Sequence, residues 1–175
     1  MKIVCLSDTH NFHSQVPIPE GDVIVHAGDL SGKGTISEVS SFLSWFSALP
    51  HQHKIFIAGN HDFLFQKDPS LARALIPANV TYLEDSGVTI NDINFWGSPW
   101  QPWFHDWAFN LKRGSEIQKK WNLIPEDTHF LITHGPVHGI LDMTAGGIKA
   151  GCESLRDTIQ NRLPNLAFHV SGHIH

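Results

Sequence analysis

Cysteine is scarce in this chain, with Cys5 and Cys152 the only two among 175 residues. Cys5 lies inside an apolar run and Cys152 follows a glycine, so they do not form the disulfide framework that stabilises small secreted domains. Buried free thiols fit a reducing compartment. The low cysteine content therefore favours a cytoplasmic location.

Positive charge is also sparse. The chain has 12 Lys and Arg against 17 Asp and Glu, and its formal net charge is −5. Proteins that hold polynucleotides through their phosphates need a broad basic surface. We therefore expect no polynucleotide partner, although a small anionic ligand fits if metal ions supply the positive charge.

Long apolar stretches are missing as well. No run approaches the roughly 20 apolar residues that a membrane helix requires, so we expect no membrane partner. The first residues, M-K-I-V-C-L-S-D, turn polar too early for a signal peptide. A composition of 41% hydrophobic and 17% charged residues is typical of globular proteins, and we predict one domain over residues 1–175.

Histidine, in contrast, is abundant, with 13 residues. Short runs that are apolar on both alternating faces indicate strands covered on both sides, as in a layered α/β fold. Side chains with oxygen or nitrogen donor atoms follow these runs. Because none of them is a thiolate, they suit hard or borderline divalent ions better than structural zinc. In chain order they are Asp8 and His10, Asp29, Asn60 and His61, His134, and His173 and His175.

Short sequence motifs predict individual elements of secondary structure. Thr35 and Glu38 have the spacing of a capping box at the start of a helix, and Ser115 is the predicted cap of a later helix. Asn91 and Asp92 separate two short apolar runs and predict a β-hairpin. His26 lies within an apolar run, which predicts a hydrogen-bonded core residue.

Four of the six tryptophans lie between residues 96 and 107, among prolines that exclude a regular helix or a central strand. We predict an ordered loop, and two interpretations of its rings stay open. The rings pin the loop to the body of the protein, or they form a wall that stacks on the base of a ligand. In the second case Trp100, Trp103 and Phe104 contact the substrate, and His138 is a further candidate contact.

In order and wording the motifs D-x-H, G-D, G-N-H-D, H-G and G-H-x-H resemble those of the calcineurin-like metallophosphoesterases. The stretches L-P-H-x-x-K-I-x-I-A-G-N-H and G-S-P-W-Q-P-W-F are similar to the MPPED-type subgroup, which is related to class III cyclic nucleotide phosphodiesterases. The resemblance covers the whole chain. It implies an α/β fold of two mixed β-sheets packed face to face and flanked by helices. Family members continue past G-H-x-H, so we expect a C-terminus that is shortened at His175.

The same resemblance implies two divalent metal ions that share one carboxylate. Manganese is the expected metal, with iron, zinc, cobalt or nickel as alternatives. Two ions about 3.5 to 4 Å apart clamp a phosphate and give a shared hydroxide that attacks phosphorus. Asp8, His10, Asp29 and His175 would hold one ion, and Asp29, Asn60, His134 and His173 the other.

The catalytic assignment concerns the two residues after Asn60. His61 is not a ligand in this scheme and would protonate the leaving oxygen or stabilise its charge. Asp62 either orients His61 or caps the turn.

These residues predict a phosphodiesterase for small diesters, with cyclic nucleotides as the expected substrates. Two divalent ions with two carboxylates and one hydroxide carry about one net positive charge, which a diester monoanion neutralises and a monoester dianion overshoots. Leu30, Ser31 and Gly32 stand where related protein phosphatases have a motif with arginine, which disfavours phosphoprotein substrates. The alternative is a nucleotide-binding regulatory or scaffold protein with vestigial hydrolysis, which would use the same residues.

Overall fold

Two four-stranded sheets form the body of the protein, which a computed structural model describes over residues 1–175. The strands are β1 (Ile3–Leu6), β2 (Val23–Ala27), β3 (His53–Ile57), β4 (Thr81–Tyr82), β5 (Ser86–Ile90), β6 (Ile93–Ser98), β7 (Gln101–Pro102), β8 (Asn110–Leu111), β9 (Phe130–Thr133) and β10 (Phe168–Val170). The first sheet has the order β1-β2-β3-β4 and is parallel throughout. The second has the order β10-β9-β6-β5 and is mixed, because only β5 and β6 are antiparallel.

Helices cover the outer faces of both sheets. They are α1 (Ile36–Ala48), α2 (Phe63–Lys67), α3 (Pro69–Ala74), α4 (Ser115–Trp121) and α5 (Glu153–Arg162). The capping box of α1 is confirmed, since the Thr35 hydroxyl accepts from the Glu38 amide and the Glu38 carboxylate accepts from the Thr35 amide. The predicted cap of α4 is wrong: the capping position is Gly114, at φ 83°, and Ser115 is the first helical residue. None of the helices has the length and apolar character that crossing a membrane requires.

The two sheets pack face to face through a shared apolar layer, so the predicted α/β fold is confirmed, with the difference that only the second sheet is mixed. Val25 and Ile57 of the first sheet contribute to this layer together with Phe95 and Ile132 of the second. Gly97 marks the closest approach, because a Cβ atom there would lie 2.4 Å from the Cβ of Leu83. The sheets can therefore meet at this point only if β6 carries no side chain there.

The predicted hairpin is confirmed between β5 and β6. Its two turn residues, Asn91 and Asp92, have φ values of 47° and 63°. Positive φ at both central positions is the geometry of a type I′ turn, whose twist matches that of the flanking strands.

His26 lies in the core between the first sheet and α1, as its sequence context predicts. It is fully buried, its Nε2 lies 3.0 Å from the Thr9 hydroxyl, and its ring packs 4.9 Å from the ring of Phe42. Burial lowers the pKa of His26 to about 3. The ring is therefore neutral in the folded protein at pH values where an unfolded chain would bind a proton.

This difference predicts a loss of stability in mild acid. Between the unfolded pKa of about 6.5 and the folded pKa, only the unfolded state is protonated at His26, so stability falls as the pH falls. Between pH 7.5 and pH 5.5, we expect the free energy of unfolding to fall by about 1.4 kcal/mol less in His26→Gln than in the wild type. Urea unfolding of the metal-free protein at both pH values measures this. The exposed His105, changed to Gln, is the control, and an unaltered pH dependence in His26→Gln would contradict the prediction.

Candidate metal centre

The loops that follow β1, β2, β3, β9 and β10 bring their polar side chains together into one cluster. Its metal-ligating atoms form three overlapping groups, and within each group the atoms lie within 4.8 Å of one another. The groups share His10 and Asp29, which makes the cluster continuous. They are Asp8 with His10 and His175; His10 with Asp29 and His61; and Asp29 with His134 and His173.

The backbone at this cluster is unusual because four of its residues have left-handed φ values. These values are 51° at Asp8, 39° at His10, 56° at Asp29 and 73° at His173. A side chain with a Cβ atom is disfavoured in this region, and such strain concentrates at functional sites. Backbone hydrogen bonds hold the first two loops in register, with the Asp8 amide donating to Gly28 and the His10 amide to Asp29.

Asp29 lies at the centre of the cluster and is only 2% exposed. Its Oδ1 accepts from the His61 amide at 2.8 Å, and its Oδ2 lies 3.3 Å from His134 Nε2 and 3.7 Å from His10 Nε2. Burial alone would raise the pKa of Asp29, but the positive charge of His134 and the hydrogen bond from His61 hold it well below its usual range. The carboxylate is therefore anionic.

His134 provides the clearest test of whether a cation fits this site. Its Nδ1 lies 2.9 Å from the Ala27 carbonyl oxygen, which can only accept, so Nδ1 carries a hydrogen. Its Nε2 lies 2.8 Å from Asn60 Oδ1 and 3.3 Å from Asp29 Oδ2. If the ring is neutral, three electron-rich atoms face one another with no hydrogen between them.

A positive charge resolves this conflict at His134. Burial lowers its pKa, but the charge of Asp29 outweighs burial and raises the pKa to about 9. In the absence of metal, a proton on Nε2 therefore occupies the space between the oxygens. A divalent cation would satisfy the same three donor atoms and keep the imidazole neutral, so these residues fit a metal ion.

His173 and His175 complete the cluster from the chain segment after β10. The His173 amide donates to both carboxylate oxygens of Asp8, at 3.0 and 3.1 Å. Burial, with the positive charge of His134 adding to it, lowers the pKa of His173 to about 4 and keeps its imidazole in the neutral form that binds metals. The ring of His175 is more exposed and lies 5.5 Å from that of His10.

His61 lies at the edge of the cluster. Its Nδ1 donates to the Gly32 carbonyl oxygen at 2.8 Å, and its Nε2 lies 4.0 Å from Asp29 Oδ2. The ring also packs edge-on against His10, with the centroids 4.6 Å apart. The hydrogen bond thus holds Nδ1 at the Gly32 carbonyl, and Nε2 lies on the side of the ring that faces the cluster.

Asp62 lies in the turn and not against the imidazole of His61. The carboxylate is fully buried and accepts from the Gly59 amide at 2.7 Å and from the Ser31 hydroxyl at 2.6 Å. Burial, and then the charge of Asp29, raise the pKa of Asp62 to about 7 against the effect of these hydrogen bonds. Asp62 therefore joins the loops after β2 and β3, whereas the Gly32 carbonyl orients His61.

The aromatic loop divides its rings between two roles. Trp100, predicted as a substrate contact, instead packs into the body of the protein: its Nε1 donates to Asp85 Oδ2 at 2.9 Å. The ammonium group of Lys120 lies 4.3 Å from its ring centroid, and Phe109 packs edge-on at 5.3 Å. These contacts agree with the first interpretation of the loop, in which its rings pin it to the body of the protein.

Trp103 and Phe104, in contrast, point outward and are 60% and 53% exposed. Together with His173 and His175 they line a cavity of about 460 Å³. The Phe104 ring lies 6.5 Å from that of His173, so the cavity borders the cluster directly. An apolar platform therefore adjoins the metal-ligating side chains.

His138 lies apart from this cavity, of which it is not a lining residue. Its Nδ1 is 3.5 Å from Asp142 Oδ2 and 3.8 Å from Glu153 Oε1. These carboxylates account for its position without a substrate.

Two contacts of the site escaped prediction. The Trp107 ring stacks on His61 with the centroids 4.1 Å apart, and the Gly32 carbonyl fixes the same imidazole from its edge. Trp107 lies in the same Trp- and Pro-rich stretch as its neighbours, so the sequence does not distinguish its orientation from theirs. A backbone carbonyl carries no side-chain signal at all.

Comparison with known proteins covers the whole chain. The sequence model of the family described as Calcineurin-like phosphoesterase matches residues 1–175. Metallophosphoesterase domain-containing protein 1 of Homo sapiens is 42% identical over 198 residues, and the Mus musculus protein of that name gives the same value. A UPF0046 protein of Caenorhabditis elegans is 36% identical over 188 residues, covering 100% of this chain and 63% of that protein. The matches cover 99% of this chain but only 60% of the length of the human and mouse relatives.

Loss of the central carboxylate should abolish metal binding. We expect Mn²⁺ to raise the Tm of EDTA-treated protein, because binding at 100 times its Kd stabilises the folded state by about 2.7 kcal/mol. The Tm of Asp29→Asn should not change. Asn tolerates the positive φ of residue 29, so the substitution removes charge with little backbone cost.

Asp92→Asn is the matched control, because it removes one carboxylate from another positive-φ position at the exposed hairpin turn. This variant should respond to Mn²⁺ as the wild type does. An equal Tm increase in Asp29→Asn would show that the cluster does not hold the metal.

Proposed function

Because the chain belongs to the calcineurin-like phosphoesterase family, we propose that it is a phosphodiesterase that hydrolyses small phosphodiesters, and cyclic nucleotides in particular, with two divalent metal ions. The observation that carries this proposal is the buried, anionic Asp29 carboxylate. Its Oδ2 lies 3.7 Å from Nε2 of His10, which belongs to the first metal-ligating group, and 3.3 Å from Nε2 of His134 in the third, so it can serve two ions.

In the proposed arrangement Asp29 is the shared ligand. Asp8, His10 and His175 complete one site, which agrees with the first group of ligating atoms. The other site uses Asn60, whose Oδ1 lies 2.8 Å from His134 Nε2, together with His134 and His173, which form the third ligating group with Asp29. When bound, the two ions would polarise the phosphate and lower the pKa of a shared water. Manganese is the proposed metal, since every donor is oxygen or nitrogen.

His61 is the proposed proton donor to the leaving oxygen. Its Nδ1 is held by the Gly32 carbonyl, so a second proton on Nε2 would face the cluster and not the solvent. The imidazole is 25% exposed, which leaves it accessible to a bound substrate. Proton transfer by such a positioned group contributes about 10²- to 10⁴-fold to a rate.

A diester fits the proposed site better than a monoester because only two carboxylates, Asp8 and Asp29, are among the ligands. The remaining ligands are neutral, so the occupied site would carry a small net positive charge that a monoanion neutralises. Trp103 and Phe104 support a nucleobase as one substituent, since their exposed faces border the cluster and aromatic faces stack on bases.

The proposal predicts turnover of diesters by the manganese-loaded protein. We expect hydrolysis of bis(4-nitrophenyl) phosphate and of cyclic AMP to exceed that of 4-nitrophenyl phosphate in kcat/KM. Asp29→Asn should be inactive, and Trp103→Leu should raise KM for cyclic AMP about 5-fold or more through lost stacking. Absence of turnover with every divalent ion, together with tight AMP binding, would instead identify a nucleotide-binding regulator.

Replacement of His61 should separate catalysis from metal binding. We expect His61→Ala to lower kcat for cyclic AMP by at least about 10²-fold, because the ribose oxygen, a strongly basic leaving group, then departs without a proton donor. Metal content, measured by mass spectrometry of the purified variant, should remain that of the wild type. A kcat within 2-fold of wild type would exclude His61 from the reaction.

A further inference from the structure

The imidazole of His61 has one hydrogen bond to its ring, from Nδ1 to the Gly32 carbonyl oxygen. A single hydrogen bond fixes the position of Nδ1 but leaves the ring free to tilt about that contact. The direction of Nε2 therefore depends on the groups packed against the ring: His10 meets it edge-on, with the centroids 4.6 Å apart, and one face remains for a stacking partner. Trp107 occupies that face, at a centroid distance of 4.1 Å and an interplanar angle of 32°.

The residues that follow Trp107 hold it in place. The Ala108 amide donates to the Asn60 carbonyl at 3.0 Å, and Gln101 Nε2 donates to the Ala108 carbonyl at 2.7 Å. Ala108 and Phe109 are buried in the core on the outer face of the first sheet. The aromatic loop is thus fastened directly beside the turn that carries His61.

Trp107 has no place in the cavity beside the cluster. Trp103 and Phe104 line that cavity, whereas Trp107 does not. Its indole instead packs against the His61 ring and lies near Phe63, whose ring centroid is 6.0 Å away. The contact with His61, and not the lining of this cavity, therefore accounts for its position.

We propose that Trp107 is a positioning residue for His61: its indole face sets the plane of the imidazole so that Nε2 points at the leaving oxygen. This inference rests on the proposed function. Because displacement of a reacting group by about 1 Å can cost on the order of 10²-fold in rate, a loss of ring orientation is measurable even when the fold is intact.

A double-mutant cycle on the manganese-loaded protein tests this role. Trp107→Leu lowers kcat for cyclic AMP, whose basic ribose oxygen needs a proton donor, about 10-fold and leaves KM within about 2-fold, whereas Trp107→Phe, which keeps an aromatic face, retains most of the activity. In the His61→Ala background, Trp107→Leu causes no further loss. An equal fractional loss in both backgrounds, or no loss in either, overturns the proposal.

Trp45→Leu is the matched control. Trp45 is also half-buried and packs on a histidine, His13, with the centroids 5.1 Å apart, but neither residue belongs to the cluster. This variant keeps kcat within about 2-fold of the wild type. A loss equal to that of Trp107→Leu would trace the effect to general destabilisation and overturn the proposal.

A second readout requires no activity. In the NMR spectrum of the metal-free protein, the ring protons of His61, assigned by their absence in His61→Ala, are shifted upfield by the indole ring current. Trp107→Leu moves them back toward the values of an unstacked histidine, and shifts that do not respond overturn the proposal. If the ring-proton shifts of His61 change in Trp107→Leu but the protein does not hydrolyse diesters, the phosphodiesterase proposal is refuted. The positioning of the imidazole by Trp107 is then still supported. Full activity of His61→Ala with diester turnover refutes the positioning role alone.

Discussion

Asp29 is a carboxylate with 2% exposure that lies among three imidazoles, and no lysine or arginine forms an ion pair with it. Burying an ionised group in this way costs several kcal/mol unless cations and hydrogen bonds compensate. The amide of His61 and the charge of His134 provide part of that compensation. The arrangement of the loops after β1, β3 and β9 follows from this requirement, because each contributes a donor or an imidazole directed at the same carboxylate.

Holding these groups together requires strained backbone, and the sheets resist that strain. Four cluster residues have positive φ, each at a cost on the order of 1 to 3 kcal/mol when the residue is not glycine. Of the strands before them, β2 is buried on both faces, and its end cannot move without disrupting the apolar layer between the sheets. The buried carboxylate of Asp62 adds a local clamp, since it binds the turn after β3 to the loop after β2. A rigid frame of this kind suits a site that must keep its ligands in place with and without metal.

The aromatic loop shows how neighbouring residues of one type can serve different purposes. Trp100 and Trp107 are fixed against the protein, one through Asp85 and Lys120 and the other against His61, whereas Trp103 is open to solvent beside the cluster. The pinning interpretation is thus confirmed for Trp100, whereas stacking of Trp103 and Phe104 on the base of a ligand stays a prediction. The loop therefore connects the rigid core with the edge of the site at which a ligand would enter.

The sequence by itself determined the layered fold and the set of polar residues that converge in the cluster. Both are encoded locally: apolar runs specify buried strands, the residues that follow them lie at the strand ends, and Asn91 with Asp92 specifies the hairpin. Only the tertiary structure decided where Asp62 binds, which tryptophan faces inward, and that Trp107 and the Gly32 carbonyl hold His61. These contacts join segments that are distant in the chain, and they depend on side-chain rotamers and loop paths that no local pattern encodes. Periodicity specifies which residues reach the ends of strands, but packing between separate loops decides what each side chain contacts there.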